Sequence, residues 1–204
     1  MMTSNNALIP DQDKDDILTS SPWQWPFALV GLRMCSWADD VIKYYLLGSP
    51  AVWWSASTSL IAYLGVTSHL SSVFVFIQLA GHTLDFRRVV TGLLDEWSHF
   101  IYVGKTLAAG WLLHYIPFCI MGRVTYLHHY FPALYFSVIM VPFLMDHAAS
   151  RLQMSDRSRQ LMFCTAAAVV FAVFWWFSPI AFGMNFPILQ LKGRKWLSTW
   201  NIVD

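Results

Sequence analysis

Five polar side chains lie close together in the segment GRVTYLHHYFPA, residues 122–133. One arginine, two adjacent histidines and two tyrosines make up the set: Arg123, His128, His129, Tyr126 and Tyr130. An arginine offers five N–H donors in a planar fork that suits a phosphate. The N-terminus of a helix adds unpaired N–H groups and the positive end of the helix dipole. The segment is therefore a candidate phosphate-binding site.

Two other interpretations of this segment compete with a phosphate site. Arginine, histidine and tyrosine at the edge of a bilayer also anchor a helical hairpin to lipid headgroups. A metal site is disfavoured, because neighbouring histidines diverge by about 100° on a helix and Asp146 lies about four turns away. Tyr126 and Tyr130 are four residues apart and should share one helix face, whereas only one of His128 and His129 can face a given cleft.

The composition predicts a membrane protein. Of the 204 residues, 56% are hydrophobic and 12% are charged, against about 25% charged in an average globular domain. Mean hydropathy is +0.46, and the chain has 11 tryptophans, a residue enriched where hydrocarbon meets headgroups. A net charge of +1 argues against a nucleic-acid partner. No serine or cysteine occupies a recognisable nucleophile motif, so the residues indicate no catalytic group.

Long gaps between charged residues predict four transmembrane helices. A helix needs about 20 mostly apolar residues to cross the hydrocarbon, and the sequence offers such runs at about 52–80, 100–121, 126–146 and 161–183. Lys105 interrupts the second run, but its long side chain can extend the ammonium to the interface. Residues 81–99 have apolar side chains at helical spacing, which predicts a short amphipathic helix on the membrane surface.

The connections between the spans predict an orientation. Residues 1–21 are polar and acidic, as in a solvated linker, and residues 22–204 contain the four spans. Four crossings place both termini on one side. The loops 81–99 and 147–160 contain most of the loop arginines, namely Arg87, Arg88, Arg151, Arg157 and Arg159, whereas the hairpin turn has Arg123 alone. The positive-inside rule therefore puts those two loops in the cytosol and the hairpin turn on the other side.

Several motifs, in the same order, resemble one enzyme family. GRVTYLHHYFPALYFS is similar to the signature of the C-terminal four-span region of the dolichyl-phosphate-mannose protein O-mannosyltransferases. PWQWP, RMCSW and YYLLGSPAVWW resemble the segment that enters that region, with Ser49 where relatives often have Asn. MMTSNNALIP resembles the stretch that leaves the lumenal MIR module, and the likeness is greatest to the subfamily of the second yeast enzyme.

The resemblance implies a fold and an activity. The fold is all-α and integral to the membrane, with four transmembrane helices forming the C-terminal part of a GT-C type glycosyltransferase. Such enzymes transfer mannose from dolichyl phosphate mannose to Ser or Thr of secretory proteins in the endoplasmic reticulum, and they work as dimers of family members. The donor is a lipid-linked sugar, and neither a metal nor another cofactor is implied.

Further expectations concern this particular chain. Residues 1–21 correspond to a lumenal linker that follows a MIR module, and both termini are expected in the lumen. The catalytic Asp-Glu pair of the family lies upstream of anything present here, so no catalytic residue is assigned. Expressed alone, the chain is expected to enter the membrane and to transfer no mannose.

The resemblance also favours one role for the polar segment. On this interpretation, Arg123 and the neighbouring ring side chains steady the leaving dolichyl phosphate, whose negative charge grows as the glycosidic bond breaks. Two alternatives stay open. In the first alternative, the chain is a non-catalytic truncated membrane subunit that pairs with a full-length relative and modulates it. In the second, it is a small transporter or channel. The last class needs charge inside the membrane, and beyond Lys105 the spans offer little.

Overall fold

Four long helices dominate the protein. The structure, a computed structural model, describes residues 19–35, 42–80, 85–121, 125–184, 191 and 193–202. The helices are α1 (Pro50–Ala80), α2 (Asp85–Ile120), α3 (Phe131–Arg151) and α4 (Asp156–Phe182). Short 3-10 helices occupy Pro22–Gln24 and Leu127–Tyr130, and two antiparallel strands, β1 (Leu32–Arg33) and β2 (Tyr45–Leu46), pair Leu32 with Leu46.

Three helical segments are long and apolar enough to cross a membrane. They are Pro50–Phe76, Leu127–Arg151 and Asp156–Phe182, and they correspond to the first, third and fourth predicted spans. The second predicted span, 100–121, corresponds to the C-terminal part of α2, which ends at Ile120. Within the described residues α2 falls short on hydropathy, because His99, Lys105 and His114 interrupt its apolar side chains.

Helix α2 is longer than the sequence predicts. A separate surface helix over 81–99 was the expectation, but α2 runs without a break from Asp85 to Ile120, so that most of this segment and the second span form one helix. No proline interrupts α2 before Pro117, in its last turn. Trp97 and Phe100 also pack in the same cluster as Ile101, so one apolar face continues across the predicted boundary.

Helix α3 forms the centre of the bundle and packs closely against α1 and α2, whereas α4 has fewer helix contacts. Two glycines of α2 permit the close approach. A Cβ atom on Gly104 would overlap the ring of Tyr63, and one on Gly110 would overlap the ring of Phe136. The small residues thus allow the backbones to approach, as is usual between helices in membranes.

One end of the bundle carries a small non-helical layer, here called the cap, which comprises residues 19–35, 42–49, 125–130 and 193–202. The N-terminal segment joins the α2–α3 connection, since the Ser20 N–H donates to the Thr125 carbonyl (3.0 Å) and the Thr125 hydroxyl donates to the Ser20 carbonyl (2.7 Å). The C-terminal segment joins the same layer, because the Trp200 indole N–H donates to the Ala28 carbonyl (2.8 Å). Both terminal segments therefore lie at one end of the bundle, as four crossings predict.

The opposite end, here called the far end, comprises residues 97–101 of α2 and residues 146–159 of α3, α4 and their connection. Leu152 caps the last turn of α3, and Ser155 caps the first turn of α4 by accepting from the Ser158 N–H (3.2 Å). The Asp146 carboxylate pairs with the Arg159 guanidinium across the connection. A tight, capped turn thus holds α3 and α4 antiparallel.

Candidate functional site

The polar segment lies in the cap, at the start of the hairpin's return helix. Residues 122–124 are outside the described residues, so Arg123 has no described position. Residues 125–130 form a sharp turn: Tyr126 is extended (φ −134°, ψ 154°), and a 3-10 helix follows over Leu127–Tyr130 before α3 begins. The His129 N–H donates to the Tyr126 carbonyl (3.0 Å), which closes the turn.

The two histidines have different surroundings. His129 Nδ1 accepts a hydrogen bond from the Tyr126 N–H (3.0 Å), and its ring stacks on Phe118 with the centroids 5.1 Å apart. His128 is exposed, and its ring lies parallel to that of Tyr126 at 5.7 Å. His129 therefore stabilises the turn through a hydrogen bond and a ring contact, and His128 is the histidine that is exposed at the surface.

The two tyrosines do not share a face, so that expectation is wrong. Tyr130 is 1% exposed, and its hydroxyl accepts from the Trp111 indole N–H (2.9 Å). Tyr126 stays half-exposed beside His128. The expectation assumed an α-helix through both residues. Instead, Tyr126 precedes the helix in an extended conformation, and a 3-10 helix has three residues per turn, so a spacing of four does not align side chains.

A buried aromatic cluster supports the turn from below. Tyr130 packs against Trp25 and Trp53, with ring centroids 6.3 Å and 6.0 Å away. The Trp53 indole N–H donates to the Trp25 carbonyl (2.5 Å), and the Tyr115 hydroxyl donates to the Pro22 carbonyl (3.1 Å). The sequence analysis singled out PWQWP for its family resemblance and did not connect it with the polar segment. The one available signal was the density of tryptophan in PWQWP and AVWW.

The exposed part of the site is small and its support is rigid. Its described side chains are the half-exposed Tyr126 ring and the exposed His128 ring. A phenol O–H and an imidazole N–H can each donate a hydrogen bond to an oxyanion. In the part of the chain that the structure describes, no three His, Cys, Asp or Glu side chains come together as a metal site requires. Asp146 lies at the far end of α3 and pairs with Arg159.

Comparison with known proteins gives consistent matches over the whole chain. The family model described as the C-terminal four TMM region of protein-O-mannosyltransferase matches residues 1–200. Dolichyl-phosphate-mannose--protein mannosyltransferase 3 of Saccharomyces cerevisiae is 36% identical over 209 residues, which is 100% of this chain and 26% of that protein. Protein O-mannosyl-transferase 2 of Danio rerio is 31% identical over 212 residues, 98% of this chain and 26% of that protein. The chain thus spans about a quarter of the length of these relatives.

A solved structure shows the same architecture. The Saccharomyces cerevisiae protein O-mannosyltransferase Pmt1-Pmt2 complex bound to the sugar donor superposes with a TM-score of 0.68 at 26% sequence identity. The match covers 98% of this chain and 25% of the solved chain. The chain therefore belongs to the protein O-mannosyltransferase family, and its residues 1–200 are the C-terminal four-span membrane region of that family.

Proposed function

We propose that the chain serves in an endoplasmic reticulum mannosyltransferase that moves mannose from dolichyl phosphate mannose to Ser or Thr of secretory proteins. Relatives at 36–38% identity carry the name dolichyl-phosphate-mannose--protein mannosyltransferase, and the related yeast complex was solved with its sugar donor. One observation carries the role of this region: Tyr126 and His128 are presented at the cap surface by a turn built on buried aromatic rings.

In this proposal the polar turn steadies the phosphate of the lipid donor. Charge grows on the leaving phosphate as the glycosidic bond breaks, and donors fixed in advance stabilise that charge without having to reorganise. His128, Tyr126 and Arg123 bind the phosphate. His129 and Tyr130 are positioning residues, because one closes the turn and the other joins it to Trp111 and Trp53.

The cap faces the lumen in this proposal, with both termini. Support comes from the far end, where Arg151, Arg157 and Arg159 surround the α3–α4 connection. Short loops rich in arginine favour the cytosolic side of a membrane. The hydrogen bonds from Ser20 to Thr125 and from Trp200 to Ala28 support this arrangement, because they join both terminal segments to the end of the bundle that is opposite to these arginines.

A chimaera tests the phosphate role. Residues 1–200 replace the matching region of Saccharomyces cerevisiae dolichyl-phosphate-mannose--protein mannosyltransferase 3, and mannose transfer to a Ser/Thr peptide is measured in membranes without endogenous relatives. Arg123→Ala should lower transfer about tenfold or more, because a lost charge-assisted hydrogen bond costs roughly 1.5–3 kcal/mol. Arg157→Ala, an exposed arginine at the far end, is the matched control. Equal turnover of both variants at equal protein level would make Arg123 a headgroup anchor.

We also infer that the chain pairs with another member of the family. The related yeast structure is a complex of two such proteins, and α4 presents large exposed aromatic side chains within the described residues, among them Phe171, Trp175 and Phe182. Co-purification of a tagged chain with an untagged relative from mild detergent tests this. Phe171→Ala should weaken the pairing, and Tyr135→Ala, an exposed aromatic on α3, should not.

A further inference from the structure

Helix α2 carries an exposed lysine on the face that turns away from the bundle. Its inner face is packed, since Phe100 is 2% exposed and a Cβ atom on Gly104 would overlap the ring of Tyr63. Lys105 is exposed instead, and its ammonium makes no hydrogen bond or ion pair with any residue that the structure describes. The position of this charge along the helix therefore decides what can surround it.

Two contacts between α2 and α3 fix the level of Lys105. At one, the rings of Phe100 and His147 lie 4.3 Å apart. At the other, a Cβ atom on Gly110 would overlap the ring of Phe136. The helices are antiparallel, and Lys105 is midway between its two neighbours on α2. It is therefore level with the middle of the α3 segment that these contacts delimit.

This level is close to the middle of the bilayer. The segment belongs to the membrane-spanning stretch Leu127–Arg151, and its middle is about ten residues, or roughly 15 Å, from Arg151. The hydrocarbon is about 30 Å thick. A lysine side chain on a helix leans toward the helix N-terminus over about one turn, or ~5 Å. Since α2 begins on the side of the far end, the Lys105 ammonium stays roughly 10 Å short of the interface, contrary to the expectation from the sequence.

The chain offers no carboxylate at this depth. No Asp or Glu occurs in residues 41–84, 97–145 or 157–203, which include the membrane-level part of each helix. Asp146 is at the far end of α3 and pairs with Arg159. An ammonium in hydrocarbon is costly, and such groups in membrane proteins usually pair with an opposite charge. The counter-charge for Lys105 must therefore come from outside these residues.

The side chains around Lys105 suit contact with another helix. Tyr102, Thr106 and Ala109 lie on the same exposed side of α2 and, with Lys105, are here called the Lys105 face. Tyr102 is 68% exposed, and its hydroxyl has no hydrogen bond to a described residue. The Thr106 hydroxyl donates to the Tyr102 carbonyl (2.9 Å). Small and hydroxyl-bearing residues of this kind are enriched where membrane helices meet.

We propose that the Lys105 face binds a transmembrane helix of another family member, and that this helix carries an Asp or Glu near mid-membrane depth. The ammonium pairs with the carboxylate, and the Tyr102 hydroxyl donates to the same helix. Lipid tails offer no counter-charge, and lipid phosphates lie at the interface. The inference rests on the pairing proposed above and adds a second contact face, on α2, with a defined partner chemistry.

Substitution of Lys105 tests the charge pair. The tagged chain is expressed with full-length Pmt1 or Pmt2 of Saccharomyces cerevisiae, the proteins of the related complex, and the partner retained in mild detergent is measured. Lys105→Met removes the charge and leaves the partner's carboxylate unpaired, so retention should fall about tenfold, whereas Lys105→Arg should keep most of it. The control is Leu64→Met, which introduces the same side chain at a 58% exposed position of α1.

The outcomes separate this inference from the pairing itself. Wild-type retention in Lys105→Met, together with a loss in Phe171→Ala, would contradict the charge pair and leave pairing through α4 intact. No retention of either partner by the wild-type chain would contradict both proposals.

Photo-crosslinking locates the contact. In membranes, p-benzoylphenylalanine replaces Tyr102 in one protein and Tyr135, which is 65% exposed on α3, in another. After irradiation, the first should attach to an apolar peptide of the partner that contains Asp or Glu, and the second should give far less of that product. Lipid adducts alone at position 102 would show that the Lys105 face is covered by lipid and overturn the proposal.

Discussion

Buried ring nitrogens differ in their hydrogen bonding between the two ends of the bundle. In the cap, the indole N–H groups of Trp25, Trp53 and Trp200 donate to protein oxygens: the Ser20 hydroxyl and the carbonyls of Trp25 and Ala28. At the far end, rings pack equally closely around His147, yet its Nε2 has no partner among the described residues. The indole nitrogens of Trp25, Trp53 and Trp200, here called the platform, are thus all paired, although the Ser49 hydroxyl of the cap is also buried without a partner among the described residues. At the far end the unpaired atom belongs to a ring that packs among other rings.

The largest expected effect is the loss of thermal stability when a tryptophan of the platform is truncated. Trp53 is 4% exposed and contacts Tyr130 and Trp25, and truncating a buried tryptophan to alanine costs about 3–5 kcal/mol. Trp53→Ala should lower the thermal midpoint of the detergent-solubilised protein by many degrees. The control is Trp175→Ala on α4, where the side chain is 70% exposed. Equal midpoints for the two variants would show that the cap is not a packed unit.

A smaller change tests pairing within the platform. Tyr130→Phe keeps the ring but removes the acceptor of the Trp111 indole N–H, and an unpaired donor costs about 1–3 kcal/mol. The thermal midpoint should therefore fall. Tyr135→Phe, at 65% exposure on α3, should not change it. If the Tyr130→Phe midpoint equals that of wild type, the hydroxyl has no role in holding the turn.

Substitutions of the two histidines should change different properties: the thermal midpoint for His129 and mannose transfer for His128. His129→Ala removes the acceptor of the Tyr126 N–H, which resembles the loss of a helix cap and costs about 0.5–2 kcal/mol. His128→Ala should leave the midpoint unchanged, because the ring is exposed, and should lower mannose transfer in the chimaera. A destabilised His128→Ala with normal transfer would reverse the two roles.

The smallest effect concerns pH and is confined to the cap. Burial raises the pKa of Tyr45, against the opposing hydrogen bonds that its hydroxyl accepts from the Asn201 and Gly31 N–H groups. The folded cap therefore favours the neutral phenol. Its contribution is fully present below the unfolded pKa of about 10 and is lost as the pH rises through the higher folded value. The free energy of unfolding should therefore fall as the pH rises above about 10, and the fall should be smaller in Tyr45→Phe, which has no phenol to ionise; denaturant unfolding at a series of pH values measures it.

Local patterns in the sequence predict much of this structure. Uncharged runs predict the spans because a membrane helix satisfies its own backbone and needs only apolar side chains. The prolines of PWQWP likewise predict the break that allows a 3-10 helix at Pro22–Gln24. The polar turn was found for the same reason, since its residues are consecutive.

Other features depend on contacts between distant segments. The different roles of His128 and His129 follow from a 3-10 helix whose register is fixed by Trp25 and Phe118. No local signal connects these residues. A pocket at the far end joins His99 of α2 to His147 of α3, and each alone looks like an ordinary polar residue at a helix surface. The pairing of helix faces, rather than any motif, creates this pocket.

The proposed function depends on the cap facing the lumen. An N-glycosylation acceptor tag is added after Asp204 in one protein, and the same tag is inserted at Gln153 in the α3–α4 connection of another. Both are expressed in endoplasmic reticulum membranes, and modification is read as a glycosidase-sensitive shift in mobility. The tag after Asp204 should be modified and the tag at Gln153 should not. Modification at Gln153 without modification after Asp204 would place the polar turn in the cytosol and contradict its role toward a lumenal donor.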